Sequence, residues 1–376
     1  MADLQHIEHA DPRAIMHSIL QRIATGPEQS KDVTLEEARA GMHAILEGQV
    51  DPVQAGVFLI ALRMKRETDD ECKGVMEAIL DATHTVTAPV DEVFHVVDPY
   101  DGFNRTLPPA PFLPPLLAAF SVASISQGVE RMGPKYGITH RQVLRAAGQP
   151  VDLTPEAAAE RLGDPDTGWS YVDQALFCPK LFALATLRTL IVKRPAITTV
   201  EVMTGPVRGR HKTRLLTGFV HKPYPRLYAV LARYAGFDSA LLVRGVEGGV
   251  VPSLRQTGKI FYYHDKGEEQ SLDIKPAELG IEQEVRAAPL PEALTRELNT
   301  DRITGSADTT VAAEAAAQAG LEALDGKTGP TRDALVCSTA LCLWHLGRYN
   351  TLRTAADAVR TMLDSGAVLA RLQQAA

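Results

Sequence analysis

The stretch DPYDGFNRT at residues 98–106 concentrates groups suited to binding rather than packing: Asp98, Asp101, Gly102, Asn104 and Arg105. It follows FHVVD, a short apolar run with the pattern of a buried parallel strand, and α/β sheets bind their ligands at the carboxyl ends of such strands. Asn104 and Arg105 can donate hydrogen bonds to an anion or a sugar, while the two aspartates suit hydroxyls, an amine or a cation. The other reading is a tight structural turn carrying surface polar groups. A second concentration, GPVRGRHKTRLLTGFVHKPYPR at 205–226, holds Arg208, Arg210, Lys212, Arg214, Lys222 and Arg226 and no acid. In a chain of net charge −7 this segment is either a solvated strand edge or a local anion-binding surface, with Tyr224 and Tyr228 available for stacking on a nucleotide or nucleic acid.

Other chemistries find little support. Cys72, Cys178, Cys337 and Cys342 are scattered without CxxC or zinc-like spacing, which predicts buried reduced thiols. His6 and His9 fall in a terminus expected to be unordered, so no metal site is assigned, and no residue is singled out as catalytic. No apolar run has the roughly 18 residues of a membrane helix, and the start MADLQHIEHADPR lacks a signal-peptide pattern, so the expected location is the cytoplasm. The overall negative charge argues against a globally basic nucleic-acid binder.

At 376 residues the chain is long enough for two or three units. From 31 to 85 the signals are helical. Thr34 with Glu37 and Thr68 with Glu71 are capping boxes, and Asp51 followed by Pro52 is a cap with proline at the first helical position. The first helix has Leu35, Ala38, Met42 and Ile45 on one face, and the second has Val53, Val57, Ile60 and Met64 as its apolar stripe. The period then changes. VFHVVD (93–98), VASIS (122–126), ITTVEV (197–202), LLTGFV (215–220), SALLVRG (239–245) and KIFYYH (259–264) read as strands, several separated by helical stretches, the pattern of βα units around a mostly parallel sheet. LTPEAAAERLG (153–163) and KLFALATLRTLIV (180–192) are helical and could return to the N-terminal helices. From about 307 the chain is helical again.

The start VTLEEARAGMHAILEGQVDPVQAGVFLIALRMKRET resembles the N-terminus of anthranilate phosphoribosyltransferases and their relatives in glycosyltransferase family 3. The end, RDALVCSTALCLWHLGRYNTLRTAADAVRTMLDSGAVLARL, is similar to that family's closing helices, and LTPEAAAERL and MTGP (203–206) fall between them in the family's order. The resemblance implies an α/β fold: a small all-helical, dimerising domain (13–88 with 153–195) beside a larger α/β domain with a mostly parallel sheet (89–152 with 196–376), the ligand cleft lying between them. It also implies a homodimer and a transferase acting on a phosphorylated pentose.

The family's chemical landmarks are altered here. Its GTGGDG loop, which holds the diphosphate of phosphoribosyl pyrophosphate, is replaced by DPYDGFNRT, where only Gly102 remains of the glycine run. Its KHGNR-type segment is replaced by SQGVERMGPKYGITH (126–140), with Gly128 matching, Glu130 intruding, and Arg131 and Lys135 displaced. Its magnesium-holding Asp-Glu pair falls on LLVRGVEGGVVP, which has Val250 and Val251 in that region and Glu247 as its one acid, so magnesium is not assigned as a cofactor. CPKLFALATLR aligns with the helix whose arginine contacts the acceptor's carboxylate and puts Arg188 there, unless Arg188 lies on a solvated face. The expectation is a divergent member binding a small anionic or sugar-phosphate ligand, leaning to a pentosyl-transferase-like enzyme with Asp98, Asp101, Gly102, Asn104, Arg105, Gly128, Lys135 and Arg188 at the ligand. The alternative is a non-catalytic nucleic-acid binder using the basic segment.

Overall fold

The computed structural model describes residues 11–26, 28–294 and 309–375; His6 and His9 lie outside them. The chain opens with helices Pro12–Ile23, Leu35–Leu46, Pro52–Lys65 and Asp69–Asp81. Each begins where a side chain satisfies the orphan amides of the first turn: Asp11, Thr34, Asp51 and Thr68, with both threonines in complete capping boxes. The first helix was not anticipated, although Asp11-Pro12 is a cap signal and Met16, Ile19 and Ile23 form its buried stripe.

Two corrections concern faces. The stripe assigned to Pro52–Lys65 is not its core face, because Ala55, Phe58, Leu59 and Leu62 are the buried residues, whereas Val53 is 73% and Met64 74% exposed. This helix is apolar on two sides, and sequence periodicity picked the outer one. ITTVEV is not a strand but a helix, Ile197–Val200, running into a 3₁₀ turn, Glu201–Met203. Its β-branched residues suggest a strand, yet Ile197 and Val200 lie one turn apart and are both buried, and the segment packs on Asp69–Asp81.

The main sheet has seven strands in the order β4-β3-β2-β6-β7-β8-β9, with β2 Glu92–Val97, β3 Ser124–Gly128, β4 Trp169–Asp173, β6 Lys212–Gly218, β7 Ser239–Val243, β8 Gly258–Tyr263 and β9 Gln270–Ile274. Pairing from β4 through β7 is parallel, and β8 and β9 add antiparallel. A separate parallel pair, β1 Val86–Thr87 with β5 Val207–Arg208, ties the helical part to the sheet. Alternate residues of the central strands feed opposite cores. Phe94, Val96, Leu216 and Leu241 join the C-terminal helices Thr310–Leu324, Pro330–His345, Leu352–Asp364 and Ala367–Gln374 in one cluster. Val93, Val97, Leu215 and Leu242 join the N-terminal helices in the other. Close approach is enforced at Gly320, where a Cβ would lie 1.9 Å from the Phe112 ring.

Within the segment expected to join the helical domain, 153–195, helix Pro155–Gly163 packs on β4, all five residues of which are buried in the main sheet, while its Ala158, Ala159 and Leu162 join the core of the N-terminal helices. The stretch after it contacts those helices directly. There the His84 amide donates to the Phe177 carbonyl at 2.7 Å, helix Ala185–Ile191 packs on Pro52–Lys65, and the Ala196 amide donates to Leu59. No helix among the described residues is long and apolar enough to cross a membrane.

Several histidines are buried without charge. His95 holds the Val207 carbonyl at 2.7 Å through Nε2, and burial pushes its imidazole down to about 3. His345, stacked on His264 with ring centroids 4.3 Å apart, is pushed well below its usual range by burial and by His264. An unfolded histidine takes up a proton below about pH 6.5 that these native sites refuse, so stability must fall with pH from there down toward 3. The expected slope approaches about 1.4 kcal/mol per pH unit for each such histidine. Urea unfolding midpoints should therefore drop measurably between pH 7.5 and 5, and an unchanged midpoint would contradict this.

Candidate functional site

The loops following β2, β3, β6 and β7 meet at the carboxyl ends of the parallel strands, above the helical part. The loop at 98–106 is the centre of this meeting. Asp98 is buried and bridges two other loops: one oxygen accepts the Val250 amide at 2.8 Å, and the other lies 2.9 Å from His140 Nε2. Asp101, also buried, accepts from Arg194 Nε at 2.9 Å and from a terminal nitrogen at 2.7 Å, with Lys135 Nζ 3.6 Å from its second oxygen. Gly102 has φ +73°, and a Cβ there would lie 2.6 Å from the Ile138 carbonyl, so the remaining glycine serves backbone packing.

Past Gly102 the loop becomes a set of donors. The amides of Asn104 and Arg105 point at the Glu247 carboxylate, at 3.2 and 3.1 Å, and the Thr106 hydroxyl donates to it at 2.9 Å. Lys135 crosses between the two loops, donating to the Gly102 carbonyl at 2.9 Å and to the Glu247 carbonyl at 3.2 Å. An arrangement of backbone amides and a hydroxyl converging on one carboxylate is an oxyanion receptor, here filled by the chain's own side chain.

The same holds deeper in the molecule. Arg188 is on neither a solvated face nor an open wall: it is 2% exposed, and its terminal nitrogens donate to both oxygens of Glu201 at 2.6 and 2.7 Å. Beside this pair, Gln127 at the end of β3 donates to Tyr100 Oη and Thr204 Oγ1, at 2.8 and 3.0 Å. Burial pushes the Tyr100 hydroxyl far up, so it stays protonated. Gly128 ends β3, where a Cβ would touch the Tyr171 hydroxyl at 3.4 Å. Glu130 does not intrude into the cleft but pairs outward with Arg141 at 2.9 Å and Arg145 at 2.7 Å. Arg131 stacks on Tyr136, 5.2 Å from its centroid.

The structure thus brings Asp98, Asp101, Gly102, Asn104, Arg105 and Lys135 together, with Gly128 and Arg188 on the inner side. Sequence reading missed Glu201, Arg194 and His140 as their partners, which no local spacing signals. It had noted Glu247 only as a leftover acid. The loop is a structural turn whose amides and hydroxyl are taken up by Glu247.

The basic segment is largely neutralised. Arg214 pairs with Glu92 at 2.9 Å, Lys212 with Asp265 at 2.7 Å, and Arg226 with both oxygens of Asp69 at 2.7 Å. Arg208 lies against the Phe237 ring at 4.7 Å and donates to the carbonyls of Thr204 and Ala235, and burial pushes it down to about 10. Tyr224 accepts from Arg63 at 2.5 Å and packs edge-on to Tyr228. Among the described residues only Arg210 and Lys222 of the six lack a side-chain partner, so the geometry gives no support to a nucleic-acid surface.

With this geometry in place, the relatives fit. Residues 17–83 match the helical bundle domain of the glycosyl transferase family. The anthranilate phosphoribosyltransferase of Rhodopseudomonas palustris is 27% identical over 360 residues, 94% of this chain and 95% of that one. An uncharacterised protein of Aquifex aeolicus is 28% identical over 238 residues, 63% of this chain and 71% of its own. The fold is shared with anthranilate phosphoribosyltransferases from Thermus thermophilus (TM-score 0.70, 19% identity, 96% and 98% of the two chains) and from Saccharomyces cerevisiae, the latter solved with phosphoribosyl pyrophosphate and magnesium (TM-score 0.70, 15% identity, 98% of both chains). The chain is thus similar to anthranilate phosphoribosyltransferases along nearly its whole length and shares their fold, with the match to the glycosyl transferase helical bundle domain near its start.

The residues present do not fit a magnesium-bound diphosphate. Glu247 sits on the donors of the loop after β2, and Val250 and Val251 are buried apolar residues.

Two measurements follow from these contacts. Breaking the buried Arg188–Glu201 pair from one side leaves an uncompensated charge, so Arg188→Met should cost about 3–5 kcal/mol in urea unfolding, and Arg188→Met with Glu201→Met should recover most of it. Equal loss in single and double variants would contradict the pairing. Arg208→Gln should cost about 1–3 kcal/mol through its lost carbonyl and ring contacts, while Arg210→Gln and Lys222→Gln should stay within about 0.5.

Proposed function

We propose that this protein binds a small anionic or sugar-phosphate ligand in the cleft between its helical and α/β parts, and that magnesium-dependent phosphoribosyl transfer to anthranilate is not its reaction. The observation that carries this reading is the convergence of the Asn104 amide, the Arg105 amide and the Thr106 hydroxyl on a carboxylate, which marks the loop after β2 as chemically built for an oxyanion. Lys135 and Arg194 add positive charge beside it. The position at the carboxyl ends of parallel strands supports the same conclusion. Against anthranilate as acceptor stands Arg188, whose two terminal nitrogens are committed to Glu201. If chemistry occurs, it is a pentosyl-transferase-type step governed by positioning and electrostatics rather than by a covalent intermediate.

The protein acts as a homodimer in the cytoplasm. Val53, Met64, Leu190 and Val192, exposed between 61% and 75%, lie on two packed helical segments and supply an apolar face for a second copy. All four cysteines are buried and unpaired, which suits a reducing compartment.

A thermal-shift screen of pentose phosphates, nucleotides, small carboxylates and short oligonucleotides tests the reading. A true ligand at 100 times its Kd stabilises by about 2.7 kcal/mol. Anthranilate with phosphoribosyl pyrophosphate and magnesium should give no turnover near 1 per second, the low end of ordinary enzymes. Such turnover, or saturable stabilisation by oligonucleotides alone with steep salt dependence, would overturn it.

A further inference from the structure

We propose that Glu247 is a displaceable internal anion: its carboxylate occupies the oxyanion receptor at 104–106, excludes free phosphates from it, and yields only to a ligand whose phosphoryl group is backed by further contacts in the cleft. This inference rests on the proposed reading of the cleft and deepens it by naming a phosphoryl group as the ligand's recognised part and Glu247 as its competitor.

The contacts of Glu247 are those of a ligand rather than of a structural ion pair. No Lys, Arg or His within ion-pair distance balances its carboxylate among the described residues; uncharged donors alone hold a full negative charge. Successive amides with a neighbouring hydroxyl form the concave donor set that proteins use for oxyanions. The backbone also carries Glu247 there against its preference. Its φ of 54° and ψ of 14° put a non-glycine residue in the left-handed region, a conformation retained only where surrounding contacts enforce it. Those contacts come from neighbouring glycines. A Cβ at Gly245 would lie 1.7 Å from the Gly249 carbonyl oxygen, and one at Gly249 would lie 2.5 Å from the Phe103 ring, so the 245–249 turn can close tightly against the loop after β2.

Displacement is geometrically cheap. Glu247 is only partly buried, so its carboxylate can turn to water without crossing the core. Arg105 and Arg244 are exposed on either side, with no side-chain partner among the described residues, and would meet an incoming anion's charge. A tethered carboxylate competes at an effective concentration in the millimolar range, which is enough to keep a weakly binding free anion out.

The test is calorimetric titration of the full chain with sodium pyrophosphate in low-salt, phosphate-free buffer, comparing the parent with Glu247→Gln and Glu247→Ala. Glutamine keeps an acceptor for the loop donors while removing the charge, so one variant remains informative if the alanine form fails to fold. The expected result is no saturable binding by the parent up to about 1 mM, and binding by the variant at least about tenfold tighter than that limit, as removal of a millimolar tethered competitor requires. The variant's melting temperature should also rise with pyrophosphate while the parent's does not. A Gln variant that binds pyrophosphate no better than the parent, or a parent that binds it as tightly as the variant, would overturn the proposal. Failure of the wider reading would look different: no metabolite would stabilise the parent, whatever the variants did with pyrophosphate.

Discussion

Charge removed from water has to be neutralised locally, and in this protein the polar groups at the carboxyl ends of the parallel strands are governed by that requirement. Several cations and donor groups at the strand ends are matched by acids of the same chain: Arg188 by Glu201, Arg194 and Lys135 by Asp101, and the amides of 104–105 by Glu247. His140 meets Asp98 in the same way. Apart from Arg188–Glu201, these pairings join segments far apart in sequence, so the same contacts also fix the loops relative to one another. Removing one member would expose an unpaired group in a low-dielectric setting, where the penalty exceeds the modest net gain of an intact pair.

The sheet makes these pairings possible. Parallel registration of β2 with β6 and of β6 with β7 brings the ends of β2 and β7 to the same edge, so residues 98–106 and 244–251 emerge side by side. Both faces of the central strands are covered largely by apolar cores, and the polar loops gather at the strand ends. Asp98 then acts as a rivet, holding the Val250 amide and His140 at once.

How far the sequence was legible depended on the range of the signal. Capping boxes at Thr34 and Thr68 are local chemistry and appear as read. The resemblance at the two ends of the chain led to the right fold class, while ITTVEV misled because β-branched composition was outweighed by packing at helical spacing. β4, hidden in WSYVD, went unread because it is short and pairs only through tertiary contacts with β3. In the site, the composition of DPYDGFNRT identified the loop, but its occupant lay 141 residues away from Thr106. The basic segment looked free because its acids, Glu92, Asp69 and Asp265, come from elsewhere in the chain. Composition reveals which groups exist, and only the fold decides which are already satisfied.

The central claim is that the chain's own carboxylate fills its oxyanion receptor. The most direct measurement is a crystal structure of the unmodified protein grown with about 1 mM magnesium pyrophosphate, a level comparable to the effective concentration of a tethered group. The account predicts the Glu247 carboxylate on the amides of Asn104 and Arg105, with no diphosphate on that loop. A diphosphate bound to those amides with Glu247 turned out into solvent would contradict it.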